Sequence, residues 1–392
     1  MSEVKRLGEK YLQHMINLRE TIHMYPEDGF SEFTTSKIII EELEKLGIKV
    51  QKNVAKTGVV GLIEGKYPGK TVLLRADMDA LKIQEQADVE YKSKIDGMMH
   101  ACGHDAHTAI LLGSCKVLYD MRDELDVNVK FLFQPAEETV GGAKLLIKDG
   151  CMENPKVDYT IGLHVMPHIN TGMVELQYGS MNASTDTVSI TIEGKQGHGA
   201  YPHQGVDAIV AAGHVICALQ SIVSRNIDPV DSVVLSLGVI NGGIKENVIC
   251  PKVTLGGTLR TLNPDTRRYT KERIKEIVDF TCKGLGAKGS VDIEEGYAPL
   301  VNDNFVVDIV KENTINLLGK DNVVFRKHPS LGAEDFSFFL EHSKGAFYHL
   351  GCRNQEKNIL SPLHTADFDI DEDCLEIGVM LHVLNTLSFA KL

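Results

Sequence analysis

Tryptophan is absent from this chain of 392 residues, and aromatic residues make up only 6% of it. That scarcity by itself excludes no class of protein. A basic excess is missing as well, since 41 lysines and arginines stand against 54 acidic residues and leave a net charge of −13. Nucleic-acid binding requires a basic surface that neutralises phosphates. We therefore expect no nucleic-acid partner, and the acidity is typical of a soluble protein.

Long apolar runs are also missing: no segment reaches the length that a membrane span requires. The opening residues, MSEVKRLGEKYLQHM, are amphipathic and charged, without the apolar stretch of a signal peptide. Eight cysteines are scattered along the chain, unlike the dense spacing of a disulfide framework. We therefore expect a cytoplasmic protein without a membrane partner.

The first half of the chain alternates helical and strand patterns, which favours an α/β fold. In order, these are a helix over 34–46, strands over 48–53 and 57–65, a turn at 65–69, a strand over 71–74, a helix over 106–119, and strands over 127–133 and 159–165. The last three strands run into polar residues at their C-terminal ends, where open α/β sheets bind ligands. The sequence thus predicts a site along one edge of a sheet.

Composition changes near residue 184, and residues 184–295 follow the order strand, helix, strand, strand, helix, strand. That order is the ferredoxin-like split βαβ pattern. Helices and strands alternate again afterwards. We therefore predict an α/β catalytic domain formed by residues 1–183 and 296–392. A ferredoxin-like α+β domain at 184–295 is inserted into it.

The segment 100–107, HACGHDAH, crowds a thiol and several imidazoles into eight residues. A lone cysteine is usually a small core residue, and a lone histidine a satisfied polar one. A cysteine and several histidines within eight residues are a far more unusual combination than either residue alone. If the segment is extended, Cys102 and His104 point to one face. Thiolate and imidazole ligands suit first-row metal ions, so we predict a metal site in which the thiolate could bridge two ions.

Two adjacent acids, Glu137 and Glu138, follow the strand that ends in FQPAEE. They could be a solvated pair at a helix start. We favour a metal role because they begin at a sheet edge and adjacent side chains point in different directions. One acid can then bind metal while the other acts as a general base. Asp77 and Asp79 lie at another strand end, either as turn residues or as partners that orient ligand imidazoles.

An alternative hypothesis is that Cys102 is a nucleophile activated by histidine, as in thiol proteases. We disfavour it because it gives the acid pair and the distant histidines no role in the reaction. His164 ends a strand and His364 lies in a C-terminal loop, so each is a plausible further ligand. In the inserted segment, His198 could stabilise an oxyanion, and Arg260 could bind a substrate carboxylate.

Motifs along essentially the whole chain resemble those of the M20 metallopeptidase family, in its amidohydrolase branch. The matching strings, in order, are LRETIHMYPEDGFSEF (Leu18–Phe33), RADMDAL, MHACGHDAH, FQPAEE, GLHV, GHGAYPH, GGTLR, GAEDF and PLHTADF. The resemblance implies a Zn-peptidase-like catalytic domain with a dinuclear metal site. It also implies a lid domain that commonly mediates dimerisation, hence a homodimer or higher homo-oligomer.

Carried over to this chain, the resemblance implies five metal ligands: Cys102, His104, Glu138, His164 and His364. Cys102 would bridge the ions. Glu137 resembles the general base, and Asp77 resembles the supporting active-site acid. His198 resembles the lid histidine that reaches the partner's active site in dimeric relatives, and Asn247 and Arg260 resemble the groups that hold the substrate carboxylate.

The implied reaction is hydrolysis of an N-acyl amino acid. Two divalent ions, Zn, Mn, Co or Ni, would lower the pKa of water, and Glu137 would take its proton. N-acetyldiaminopimelate deacetylase in lysine biosynthesis is one specific alternative. An M20 carboxypeptidase or dipeptidase, acting on peptides, is another. A catalytically silent binding module on the same fold is disfavoured, because such a protein should have lost the base or a ligand.

Overall fold

The computed structural model describes residues 1–66 and 69–390, and the turn predicted at 65–69 falls partly on Tyr67 and Pro68, outside the described residues. The chain divides into two compact units. Unit 1 comprises Met1–Gly179, Asn302–Lys327 and Phe338–Leu392, and unit 2 comprises Ser180–Val301 and His328–Ser337. The predicted boundaries at 184 and 295 stay a prediction.

The strands follow in chain order. They are β1 (Lys49–Val54), β2 (Gly58–Ile63), β3 (Thr71–Asp77), β4 (Asn128–Gln134), β5 (Tyr159–Asn170), β6 (Val174–Leu176), β7 (Gly179–Asn182) and β8 (Asp186–Glu193). Then come β9 (Gly197–His198), β10 (Val233–Gly242), β11 (Val248–Ile249), β12 (Lys252–Thr261), β13 (Lys288–Glu295), β14 (Leu300–Asn302), β15 (Val323–Phe325) and β16 (Lys344–Arg353).

The α-helices are α1 (Ser2–Met24), α2 (Phe33–Lys45), α3 (His104–Asp120), α4 (Ala143–Lys148), α5 (Ala208–Ser221), α6 (Pro264–Gly284), α7 (Asn304–Leu318), α8 (Ser337–Leu340) and α9 (Asp373–Phe389). In unit 1, α1, α3 and α9 pack on one another, and α7 packs on α9. Their apolar faces share one buried core with the sheet.

Unit 1 is built on one mixed eight-stranded sheet, in the order β1-β2-β4-β3-β5-β16-β6-β15. The four strands β4, β3, β5 and β16 run parallel to one another. β3 is buried along its whole length and continues past the predicted end at residue 74, because Arg75 and Asp77 remain paired with β4. The α/β fold class is confirmed.

Unit 2 contains a four-stranded antiparallel sheet in the order β10-β12-β8-β13. Helix α5 connects β8 to β10, and α6 connects β12 to β13, which gives the predicted ferredoxin-like order. Both helices pack on this sheet and on each other around a separate core. The inserted α+β fold is confirmed.

One helix contradicts the expectation that no apolar run reaches the length of a membrane span. Residues 208–226, which are α5 and the π-helical turn after it, are long and apolar enough by length and composition, with a mean hydropathy of 1.5. Within unit 2 this helix packs against β8, β12 and α6. Only 33% of its most apolar stretch is buried in that core.

Glu42 on α2 joins three helices of unit 1 through one carboxylate. Its oxygens lie 2.7 Å from Lys45 Nζ, 3.0 Å from Lys116 Nζ on α3 and 2.8 Å from His14 Nε2 on α1. Burial raises the pKa of Glu42, but the hydrogen bonds from Lys45, Lys116 and His14 outweigh it and lower that pKa to about 2. The ionised carboxylate therefore stabilises the folded chain.

We expect acid to remove this stabilisation. Because the folded-state pKa of Glu42 lies below its ordinary value, the contribution is complete above about pH 4.5 and is lost as the pH falls toward 2. Its size is at most about 3 kcal/mol. Urea unfolding of the Glu42→Gln variant at pH 7 and pH 3 checks this, with the exposed Glu41→Gln as control. An equal destabilisation by Glu42→Gln at both pH values would contradict it.

Candidate metal centre

Three strand ends bring polar side chains to one edge of the unit 1 sheet. β4, β3 and β5 are parallel neighbours, so their C-terminal ends lie on the same side. Asp77 is the last residue of β3, and Glu137 and Glu138 follow the end of β4. His164 lies on β5, two residues past the last pairing of β5 with β3 at Gly162, and is paired with His349 on β16. The sheet edge expected from the sequence is present.

The HACGHD segment is a turn followed by the first residue of a helix, not the extended segment that the alternation argument assumed. Cys102 lies in the turn and His104 is the first residue of α3. Gly103 between them has φ 83°, and a Cβ there would lie 2.4 Å from Val165 Cγ2. Only glycine fits this position. The turn, rather than strand alternation, brings the thiol and the imidazole together.

Two groups of donor atoms share the Cys102 sulfur. In the first, Cys102 Sγ lies 3.3 Å from His164 Nε2, and the nearest ligand atoms of Cys102, His104 and His164 are within 4.8 Å of one another. In the second, Cys102 Sγ lies 3.3 Å from His364 Nε2, which is 3.0 Å from Glu138 Oε1. The five predicted ligands therefore form two overlapping triads with one sulfur in common.

The donor atoms of the triads fit divalent metal ions. His104 Nε2 is buried and has no hydrogen-bond partner among the described residues, with Asp77 Oδ2 3.7 Å away, which is unusual for a ring nitrogen in a protein interior. Burial lowers the pKa of His104, but the Asp77 carboxylate is the largest opposing cause, and that pKa is held well above its ordinary value. A positive charge is therefore favoured at this position. Sulfur, imidazole and carboxylate donors together suit several first-row ions.

Burial makes two other groups adopt their neutral forms. It raises the pKa of the Cys102 thiol well above its ordinary value and lowers the pKa of His164 well below it. A neutral imidazole is the metal-binding form of histidine. A thiolate in this dry position requires a nearby cation. His164 Nδ1 lies 2.7 Å from the Val165 carbonyl oxygen, which fixes the tautomer and leaves Nε2 facing the sulfur.

Asp79 orients two of the predicted ligands. His104 Nδ1 lies 3.0 Å from the Asp79 carbonyl oxygen and 3.2 Å from its Oδ1. Asp79 Oδ2 accepts a hydrogen bond of 2.9 Å from the backbone N–H of Glu138. One side chain therefore aligns a histidine from α3 with an acid from the turn after β4.

Asp77 contacts a histidine that is not among the predicted ligands. Its Oδ1 lies 2.6 Å from His107 Nδ1, and its Oδ2 accepts a 2.6 Å hydrogen bond from Arg75 Nη1. His107 Nε2 accepts the Val165 N–H at 2.9 Å, so both its ring nitrogens are occupied. Burial raises the pKa of Asp77, but Arg75, His104 and His107 hold it well below its ordinary value. Asp77 is thus ionised and holds His107 in place next to the triads.

His100, another member of the crowded segment, lies outside the two triads. It is fully buried, and burial lowers its pKa to about 3. Neither of its ring nitrogens has a hydrogen-bond partner among the described residues.

The acid pair lies in a turn that another carboxylate holds in place. Ala136, just before Glu137, has φ 59°, a conformation that costs a non-glycine residue on the order of 1–3 kcal/mol. Glu32 Oε1 accepts the Ala136 N–H at 2.9 Å, and Glu32 Oε2 accepts the Thr57 hydroxyl at 2.6 Å. Oxygens of Glu137 and Glu138 then lie within 4.8 Å of a His104 ring nitrogen. Sequence reasoning missed Glu32, which lies more than a hundred positions away.

His364 has the same unusual backbone conformation, with φ 61°. Its backbone N–H donates a 2.8 Å hydrogen bond to the Ala101 carbonyl oxygen, beside Cys102. The loop is therefore fixed to the turn that carries the sulfur. Its side chain is about half exposed, so this edge of the second triad opens to solvent.

A buried network of ion pairs holds the first residues of α3 in place. Arg19 on α1 donates hydrogen bonds of 2.8 Å to Asp105 and 2.7 Å to Asp369, and His23 Nδ1 lies 2.7 Å from Asp105. Burial raises the pKa of Asp105, but Arg19 and His23 hold it well below its ordinary value. Asp105 directly follows His104. The LRETIH string, which contains Arg19 and His23, was the sequence signal for this network. Spacing along the chain could not identify Asp105 as the partner of these two residues.

The remaining predicted residues lie in unit 2. His198 on β9 pairs with Val248 on β11, and the Gly199 N–H donates a 2.8 Å hydrogen bond to the Asn247 carbonyl oxygen. His198 and Asn247 are therefore neighbours, and both are exposed. Arg260 is partly exposed on β12, in the main sheet of this unit. Unit 2 thus brings His198 and Asn247 together, with Arg260 on a different sheet.

The mixed sheet and the inserted ferredoxin-like unit, with the donor cluster at the sheet edge, define the chain as a hydrolase of the metallopeptidase class. Residues 73–385 match the description "Peptidase family M20/M25/M40". The chain belongs to this family.

Similar proteins differ in the reactions that their names describe. Thermostable carboxypeptidase 1 of Saccharolobus solfataricus is 40% identical, over 96% of this chain and 95% of its own. N-acetyl-L-cysteine deacetylase of Bacillus subtilis is 38% identical, over 93% and 85%. The solved YxeP protein of Bacillus subtilis, described as a dinuclear metal-binding peptidase of family M20, is 30% identical with a TM-score of 0.84, over 98% and 99%.

Proposed function

We propose that this protein is a metal-dependent amidohydrolase that removes the acyl group from N-acyl amino acids. The observation that carries the proposal is the pair of triads that share the Cys102 sulfur, with Glu137 beside them. The deacetylase named among the relatives cleaves the same kind of bond. The products are a free amino acid and a carboxylic acid.

Two divalent ions, Zn, Mn, Co or Ni, would be held by the two triads. Cys102, His104 and His164 would hold one, and Cys102, Glu138 and His364 the other, as a set of five ligands. When bound, such ions supply Lewis acidity and lower the pKa of water toward neutrality. The described dinuclear relative supports a count of two.

Glu137 is the proposed general base. It is 8% exposed, and one of its oxygens lies within 4.8 Å of donor atoms of His104 and Glu138. At that position its carboxylate takes a proton from the attacking water and passes it to the leaving amine nitrogen. Asp77 contacts the ring of His107 and faces the ring of His104, so its ionised carboxylate holds both rings in place.

Three residues of unit 2 complete the proposal. His198 would donate a hydrogen bond to the oxyanion that forms as the amide is attacked. Arg260 and Asn247 would hold the substrate carboxylate, Arg260 by a charge-assisted pair. Their exposure leaves them free to reach a ligand.

The eight cysteines are free, which agrees with a cytoplasmic location.

The second candidate is a carboxypeptidase or dipeptidase, which the names of the carboxypeptidase relatives favour. The two reactions differ only in the acyl side of the substrate. A panel of N-acetyl-methionine, hippurate, N-acetyldiaminopimelate and dipeptides separates them by kcat/KM. Higher values for the acylated amino acids support the proposal, and a preference for N-acetyldiaminopimelate would assign the lysine-biosynthesis deacetylase. Higher values for dipeptides would overturn it in favour of peptidase activity.

Unit 2 carries the surface that we propose for a homodimer. β10 is one of the two edge strands of its sheet, and Val239 and Ile240 on it are 55% and 59% exposed. Ile209 and Val210 on α5 are 52% and 51% exposed. An edge strand with exposed apolar side chains is a ready surface for pairing with a second chain. It also accounts for the apolar helix that this unit only partly buries.

A charged pair of substitutions should separate such a dimer. We expect the Ile209→Glu, Ile240→Glu double variant to sediment as a single chain while the wild type sediments as two, because carboxylates cannot be desolvated in an apolar interface. Phe280→Glu on α6, where Phe280 is 70% exposed, is the matched control and should stay dimeric. A wild-type chain that is monomeric, or a double variant that still pairs, would contradict this surface.

A further inference from the structure

A second cluster of donor atoms lies in unit 1, outside both triads. His168 on β5, Glu175 on β6 and His349 on β16 have ligand atoms within 4.8 Å of one another. His168 Nε2 lies 3.4 Å from Glu175 Oε1, and His349 Nδ1 lies 2.8 Å from Glu175 Oε2. None of the three residues is among the five proposed ligands or the proposed base.

The strands fix the positions of these donors. β5, β16 and β6 are neighbours in the sheet, and His349 is the direct cross-strand partner of Glu175. A ligand set on adjacent strands is held more rigidly than one on loops. The side chain of His349 is 2% exposed and that of Glu175 is 10% exposed, whereas that of His168 is 54% exposed. The cluster is therefore rigid at its base and open to solvent at one side.

The charges of the cluster also suit a cation. Burial raises the pKa of Glu175, but hydrogen bonds from His168 and His349 hold it well below its ordinary value, so the carboxylate is ionised. Arg326 is a competing positive charge, and its Nε is 4.0 Å from Glu175 Oε2. That distance is long for a hydrogen bond.

We propose that His168, Glu175 and His349 form a third metal site, which binds a first-row divalent ion such as Zn²⁺ and keeps an open coordination position on its exposed side. Two imidazoles and one carboxylate are a ligand set used for Zn²⁺ in proteins with an open fourth position. The arrangement is not a cluster of acids alone, because two of its three donors are imidazoles. The proposal does not depend on the function proposed for the triads.

The competing explanation is an ion-pair network. Glu175 would then be neutralised by a protonated His168 and by Arg326, and no ion would be needed. The two explanations differ in one measurable respect. A metal site binds one more ion per chain than the same chain without His168, whereas an ion-pair network does not.

The test compares three chains without affinity tags. They are the wild type, His168→Asn, and the control His342→Asn, which replaces another exposed histidine of unit 1. Each is dialysed against Zn²⁺ and its metal content is measured. We expect His168→Asn to hold one ion fewer than the wild type and to bind the third ion at least about 10- to 100-fold more weakly, since losing even an outer partner of a ligand costs that much. His342→Asn should match the wild type.

Two further measurements keep the result distinct from that for the triads. In the Cys102→Ser background, the third site predicts an ion that disappears only when His168→Asn is added. In the wild type already loaded with two ions, the ring-nitrogen chemical shifts of His168 and His349 should change together with one further equivalent of Zn²⁺. Equal metal contents in wild type and His168→Asn would overturn the third site, and so would an equal loss in His342→Asn.

Discussion

We expect Glu137→Gln to lower kcat by about 10²–10⁴-fold while the metal content of the chain stays unchanged. That loss is what removal of a general base costs. Glutamine keeps the shape of the side chain but cannot accept the proton of the attacking water. Because Glu137 is not among the five proposed ligands, both triads keep their donors. Metal analysis and steady-state kinetics on one sample measure the two quantities together.

The neighbouring acid provides the matched control. Glu138→Gln makes the same chemical change one residue away, but Glu138 Oε1 lies 3.0 Å from His364 Nε2 within the second triad. We expect this variant to lose metal as well as turnover. If Glu137→Gln kept full turnover, or lost metal like Glu138→Gln, the roles proposed for the two acids would be wrong.

Cys102→Ser should remove hydrolysis and lower the affinity for both ions, because its sulfur belongs to both triads. No other donor of the five has this position. The loss of affinity should exceed the roughly 10- to 100-fold effect of losing an outer partner. Equilibrium dialysis against Zn²⁺ measures it, and the exposed Cys217→Ser serves as control.

The same variant pair tests the thiol-hydrolase alternative. If Cys102 is a nucleophile, wild-type hydrolysis survives chelators and stops on alkylation. If Cys102 is a ligand, hydrolysis stops on chelation and returns when metal is added. Burial holds the pKa of this thiol well above its ordinary value, which disfavours a free thiolate nucleophile. Chelator-resistant hydrolysis that Cys102→Ser abolishes would decide for the nucleophile.

Periodicity and strand ends were enough to predict most of the fold. The helix expected over 34–46 is α2 at Phe33–Lys45, and the strand expected over 127–133 is β4 at Asn128–Gln134. Both have strong apolar patterns and clear stop signals. The sheet edge that carries the donors was predicted because parallel strands end on one side. Strand ends were less predictable, since β3 continues through charged residues that the sheet buries.

Long-range polar pairings were beyond sequence reasoning. Arg19 and Asp105 are 86 positions apart and Glu32 and Ala136 are 104 apart, yet each pair fixes a segment that carries proposed site residues. Spacing along the chain carries no signal for such contacts. His107 lies in the crowded segment but was not a predicted ligand, and Asp77 and the Val165 N–H occupy its two ring nitrogens.

Two local expectations were wrong for identifiable reasons. The HACGHD segment turns at Gly103, whose positive φ ends any strand alternation. The helix at 208–226 has the length and average composition of a membrane span, although isolated polar residues interrupt its apolar run. Periodicity describes regular elements well and turns poorly.

The most direct test is to measure metal content and hydrolysis on one purified sample. The protein is assayed as isolated, after chelation, and after Zn, Mn, Co or Ni is added back, with N-acetyl-methionine and hippurate as substrates. We predict at least two ions per chain, loss of hydrolysis on chelation, and recovery with added metal. A chain without metal that hydrolyses these substrates in the presence of chelator would contradict the dinuclear hydrolase.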